Sequence, residues 1–168
     1  MRKSLCLLCF SICIFVCSAC STDDINNPIL GSWKLTSWSI AIPFDLNSDA
    51  KFNTNLLDET NCEVNEVLSF DTHSLVASKN TFNPELTVSL KDGTSDKYII
   101  KESCAEGAIG FATEYTQINA QSVSFNGAAG SVTVSTLTMV YKDAIKVYNE
   151  ALTEVLETKD LTLVYEKE

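Results

Sequence analysis

Three oxygen-bearing side chains fall at alternate positions in Asp45-Leu46-Asn47-Ser48-Asp49. Ligands spaced this way in one loop could converge on a hard cation such as Ca²⁺. A full EF-hand loop would continue with Gly at its sixth position and Glu at its twelfth, and here those are Ala50 and Leu56. Asp58 or Glu59 would have to supply a further, more distant carboxylate. The competing reading is a solvated turn in which Asp and Asn accept hydrogen bonds from their own backbone. His73 is the only histidine and lies in the turn-like Phe70-Asp71-Thr72-His73-Ser74. A Ser–His–Asp hydrolase would have to use it, yet no Gly-X-Ser-X-Gly elbow surrounds any serine. Among 22 acidic residues no spacing singles out a carboxylate pair for glycoside cleavage. The expectation is a protein that is not an enzyme and has no cofactor, with Asp45, Asn47 and Asp49 as its one Ca²⁺ candidate set.

The elements that would position these groups read as β-strands. Leu86, Val88 and Leu90 alternate with Thr87, Ser89 and Lys91; Asp92-Gly93 signals a hairpin, and Lys97-Tyr98-Ile99-Ile100 returns. Val123 and Phe125 lead into Asn126-Gly127, a second hairpin signal. Val132 and Val134 then change phase to Leu137, Met139 and Tyr141, which predicts a bulge within one strand. Leu161, Leu163 and Tyr165 alternate with polar or outward residues near the C-terminus. One segment dissents. Between Asp143 and Glu157, apolar residues at Ala144, Ile145, Tyr148, Ala151, Leu152, Val155 and Leu156 form a helical face that Asp143 could cap. That periodicity predicts a short helix near 143–158. Val147 sits off the face, and the run is rich in β-branched and aromatic residues.

The first twenty residues read as an export leader. Arg2 and Lys3 precede an apolar run from Leu5 to Val16, and Cys17-Ser18-Ala19-Cys20 follows. The run is shorter than the roughly 20 residues that a membrane-spanning helix needs. Small residues just before Cys20 predict cleavage there and lipidation of Cys20. Bacterial lipoproteins usually carry Leu three residues before that cysteine, and this chain has Cys17. The alternative is an ordinary secretory leader cut near Ala19. Ser21 rather than Asp follows Cys20, which favours the outer membrane. Ser21-Thr22-Asp23-Asp24 resembles the acidic tag of many surface lipoproteins of Bacteroidetes. Residues 1–19 are thus the signal peptide, 20–28 a lipidated tether and 29–168 one domain.

Charge and cysteine usage restrict the rest. Residues 1–19 hold two basic and no acidic residues, so the chain from Cys20 onward carries ten basic against 22 acidic residues, a net charge of −12. Such a surface repels phosphate backbones, which excludes nucleic acid as a partner. Five of the seven cysteines lie at or before Cys20, leaving Cys62 and Cys104. In an oxidising compartment those two predict one disulfide; the alternative is a pair of separate buried thiols. A bonded pair leaves too few ligands for a zinc site alongside His73.

Gly31-Ser32-Trp33-Lys34-Leu35-Thr36-Ser37-Trp38 opens the first strand. It resembles the Gly-X-Trp opening of lipocalin-like domains, and closely resembles the form found in small lipoproteins of Bacteroidetes. Asp45–Asp49, Asn55–Cys62, Cys104 and Asp160–Lys167 are also similar to that group. The resemblance implies an all-β fold, an antiparallel lipocalin-like barrel of about eight strands. It implies extended chain, not helix, over 143–158. It also makes Gly31 and Trp33 structural, with Trp33 packed across the closed end.

Two roles follow. One is a binding module holding a small apolar ligand in the barrel mouth. The other is a surface or interaction domain whose barrel is filled by its own side chains. Trp38, Ile40, Ile42 and Phe44 alternate off the Trp33 face and are candidates for the mouth, with core packing as the competing reading.

Overall fold

The computed structural model describes residues 27–43 and 45–168. The leader, Cys20, most of the tether and Phe44 lie outside the described residues. Among the described residues there is no α-helix, and no helix is long and apolar enough to cross a membrane.

The chain builds an almost closed antiparallel barrel. β1 (Gly31–Ser39) is followed by a single 3₁₀ turn at Leu56–Asp58, then by β2 (Val67–Phe70) and β3 (Leu75–Ser78). β4 (Glu85–Leu90) and β5 (Tyr98–Ser103) form a hairpin whose loop contains Asp92 and Gly93. β6 (Phe111–Glu114), β7 (Thr116–Asn119), β8 (Ser122–Phe125) and β9 (Ala128–Val132) come next, and the long β10 (Thr136–Asn149) and β11 (Val155–Lys167) close the chain. The sheet order is β6-β3-β2-β1-β11-β10-β9-β8-β7. Only Tyr115 separates β6 from β7, the two ends of that path. Residues 111–119 are thus one interrupted strand that pairs with β3 by its first half and with β8 by its second. Counted so, the barrel has eight strands, and its near-closure leaves little strand edge along that path, with β5, paired only to β4, at the side.

Trp33 fills the end where β1 begins. It is fully buried, its Nε1 donates to Ile29 O at 2.7 Å, and Lys167 Nζ lies 5.2 Å from its ring centroid. Lys167 Nζ also donates to Pro28 O at 2.7 Å, and the Asn27 amide donates to Gln117 on β7. The chain therefore enters the barrel at its plugged end. Gly31 sits there at φ +112°, a conformation L side chains rarely adopt, which accounts for glycine at this position. Leu68, Val76, Val123, Leu137 and Met139 fill the interior above Trp33 with no exposed surface.

Two bulges decide which side chains point inward. In β1, Leu35 pairs with Tyr165 but Ser37 already pairs with Val164, so Thr36 is the extra residue. The alternation shifts by one. Trp38, Ile40 and Ile42 consequently return to the interior instead of staying off the Trp33 face, and all three are buried. Asn55 holds this bulge: its amide donates to Thr36 O, and its carbonyl accepts from Trp38 N and Leu57 N. The second bulge is in β10. Tyr141 pairs with Leu161 and Ile145 with Lys159, which leaves Lys142–Ala144 looped out around Asp143 at φ +51°. The Asp160 carboxylate accepts from the Asp143 N–H and from Lys142.

The helix expected near 143–158 is therefore corrected to a hairpin of β10 and β11. Asp143 is a bulge residue, not a helix cap. Val147, which the helical face left out, is fully buried and pairs in parallel with Val88 of β4. Leu152, Val155 and Leu156, which that face would have buried, are 42–48% exposed at the hairpin end. Tertiary pairing along both sides of β10 outweighs a periodicity that short apolar runs satisfy by chance. The phase change between Val132 and Leu137 is also corrected. It is a tight turn between β9 and β10, with Thr133 N–H donating to Thr136 O, and Val134 stands 86% exposed at its tip.

Candidate functional site

At the far end of the barrel, where β1 finishes, the described residues leave a cavity open. The bulge at Thr36 sets Trp38 there, opposite Leu163 of β11. The bulge in β10 sets Tyr141, Ala144 and Ile145 on the same rim. Phe125 comes from the β8–β9 turn, where Asn126 and Gly127 both take positive φ, as the sequence signal required. Phe82 and Pro84 arrive from the segment before β4. Together they line an open cavity of about 340 Å³. That is at the lower bound of small-molecule sites, roughly 300 Å³. Phe111 and Phe125 are stacked 6.5 Å apart along one wall, and Phe70 meets Phe125 edge-on at 5.6 Å deeper in the barrel.

A carboxyl group lies within these apolar walls. Glu66 lines the cavity and is only 3% exposed. Its Oε2 accepts from Phe82 N–H at 2.8 Å and its Oε1 from the Tyr165 hydroxyl at 2.9 Å. Burial pushes its pKa above the ordinary carboxylate value, against the lowering effect of those two hydrogen bonds. Burial and the charge of Glu66 push the Tyr141 and Tyr165 hydroxyls up as well. Beside Phe82, Thr81 also lines the cavity, and its buried hydroxyl has no hydrogen-bond partner. Cys62 and Cys104 are bonded, with Cα atoms 5.3 Å apart, as expected. That bond fastens the end of β5 to the segment leading into Glu66, and so holds the β4–β5 hairpin beside the mouth.

Sequence reasoning did not single out Glu66. A signal was present: Glu66, Leu68 and Phe70 alternate as one inward face of β2, so an acid occupies an apolar position. Thr81 and Phe82 lie outside any strand and carried no comparable mark. Of the residues named for the mouth, Trp38 lines the cavity, Ile40 and Ile42 are core, and Phe44 lies outside the described residues.

The candidate cation loop is a separate place. Asp45, Asp49 and Glu59 bring one carboxylate oxygen each to within 4.8 Å of one another. Asn47 is used differently: its Oδ1 accepts from Asp49 N–H at 2.9 Å, and Asp49 Oδ1 accepts from Lys51 N–H at 2.8 Å. These are the self-bonded turns of the competing reading. Lys51 Nζ stands 3.4 Å from Asp49 Oδ2. Glu59 is 1% exposed and accepts from Leu46 N–H and from the Asn53 amide. Asp45 Oδ1 is buried without a partner. Ala50 takes φ +63°, where glycine would be at ease. His73 is an exposed turn residue 3.6 Å from Asp71.

Comparison with protein-family models, curated protein sequences and solved structures finds no match for this chain. The geometry of the site and the residues themselves carry the functional argument.

Proposed function

We propose that this chain is a lipocalin-like lipoprotein of the outer membrane, held by lipid on Cys20, that binds one small, largely apolar ligand without transforming it. The observation that carries the reading is the unplugged end of the barrel. An aromatic-walled cavity of about 340 Å³ with a buried carboxyl group combines apolar contact area with a few fixed polar groups, the usual make-up of a ligand site. The Gly31-Ser32-Trp33 opening, the plug that Trp33 makes and the eight-strand count support the family assignment. The leader supports the anchor: two or three acyl chains hold a protein far more firmly than one.

A role as an interaction domain is the second reading. The exposed apolar side chains of Leu152, Val155 and Leu156 at the β10–β11 hairpin end favour it. The two are separated by titrating the protein with the neutral apolar dye Nile red. Saturable binding that Ala144→Trp abolishes, by filling the rim, supports the ligand site; equal binding in both proteins overturns it. Anchoring is tested by fractionation, where Cys20→Ala should move the protein from membrane to soluble periplasm. Membrane association of that variant that still needs detergent for release would sink the anchor.

A further inference from the structure

Around the cavity, Glu66 and Tyr165 present acceptors, while the hydroxyls of Thr81 and Tyr141 can donate as well as accept. Each oxygen of Glu66 already takes one hydrogen bond and keeps a free lone pair. The Tyr165 hydroxyl gives its only proton to Glu66, so it too can only accept from a ligand. Thr81 Oγ1 adds a buried oxygen without a partner. The group that complements the Glu66–Tyr165 pair donates more than one hydrogen bond and brings positive charge, which describes an ammonium. A hydroxyl brings a single proton, and a carboxylate brings none together with a like charge.

The charge balance agrees. Among the described residues no Lys, Arg or His side chain pairs with Glu66. A buried carboxylate without a counter-charge is costly, and its pKa lies on the raised side of normal because of that burial. A cation in the cavity would supply the missing partner. The faces of Trp38, Phe82 and Tyr141 around it would attract the same charge through their ring quadrupoles.

Resting on the ligand-site reading above, we propose that the cavity takes an apolar amine. Its protonated nitrogen sits against Glu66, Tyr165 and Thr81, and its hydrocarbon body lies between Trp38, Phe111 and Phe125. The test is a calorimetric titration of the purified protein at neutral pH with three probes that share one indole body: tryptamine, tryptophol and indole-3-acetate. Tryptamine should bind at least about tenfold tighter than tryptophol, with the acid weakest, the size of one charge-assisted hydrogen-bonded contact. Glu66→Gln should bring tryptamine to within about twofold of tryptophol. Thr81→Val, with Glu66 intact, should weaken tryptamine several-fold and serves if Glu66→Gln fails to fold. Tryptophol or the acid binding as tightly as tryptamine overturns the amine assignment and leaves the ligand site standing. Nile red binding with no binding of any indole does the same. Failure of all four probes overturns both.

Discussion

Glu59 and Glu66 are seven residues apart, both almost fully buried, and each has an unpartnered buried oxygen nearby, Asp45 Oδ1 for the first and Thr81 Oγ1 for the second. Their surroundings separate them. Glu59 lies in a loop of polar turns, where it accepts from a backbone amide and an asparagine and has two other carboxylates beside it. Glu66 lies among aromatic rings at a cavity, accepting from Phe82 N–H and a tyrosine that is itself buried. The first arrangement braces a loop. The second leaves an acid in the wall of an open cavity, at a cost in stability. Burial alone therefore does not distinguish the two acids; what their remaining lone pairs face does.

The largest effect belongs to the link between the two regions. Cys62 lies between the glutamates in sequence, and its bond to Cys104 closes a loop with a sequence separation of 42. Cys62→Ala/Cys104→Ala should lower unfolding free energy by about 4 kcal/mol in the chain-entropy model, read by urea denaturation. A loss confined to the cavity, with Nile red binding gone and stability kept, would mean the bond shapes the mouth alone.

The glutamates themselves should then differ in sign. Glu59→Ala leaves Leu46 N–H without its acceptor and should cost about 2 kcal/mol. Glu66→Gln keeps a carbonyl for Phe82 N–H and an amide that the Tyr165 oxygen can accept from, while removing the charge. It should stabilise the empty protein at neutral pH by on the order of 1 kcal/mol. The pH dependence fixes the cause. Because the folded-state pKa of Glu66 is raised, its protonated form contributes stability that is fully present below the ordinary value of 4.5 and is lost as pH rises through the folded value. The advantage of Glu66→Gln should accordingly be absent in acid and grow on raising pH, as followed by thermal melts. An advantage constant with pH would make the effect one of packing.

Calcium should give the smallest effect. Asn47 is engaged by Asp49 N–H and Lys51 stands at Asp49, so millimolar Ca²⁺ against chelator should move the melting temperature by less than about 1 °C. A Ca²⁺-dependent rise that vanishes in Asp45→Ala/Asp49→Ala would turn the Glu59 loop into a cation site and reverse the contrast with Glu66.

Much of the barrel was legible where one rule governed one segment. The alternation of Leu86, Val88 and Leu90, the Asn126-Gly127 turn and the closing strand around Leu163 needed no tertiary information. The misread places are those where a single residue resets the phase. Thr36 and Asp143 bulge where β1 and β10 pair with β11, and neither carries a distinctive side chain. The helix expected near 143–158 failed for a related reason. Val147 is buried by β4, a strand far away in sequence and contacted in parallel. Glu66 was visible as an acid in an apolar series, but its meaning depended on Thr81 and Phe82, which the fold alone brings beside it.

The chain's point of entry has one more consequence. Asn27 and Pro28 are held to Gln117 and Lys167 at the end that Trp33 plugs, and the cavity opens at the other end of β1. The nine residues of β1, roughly 30 Å along the strand at about 3.3 Å each, run from one end to the other. Anything joined to the chain upstream of Asn27 would meet the barrel at its plugged end, away from the cavity opening.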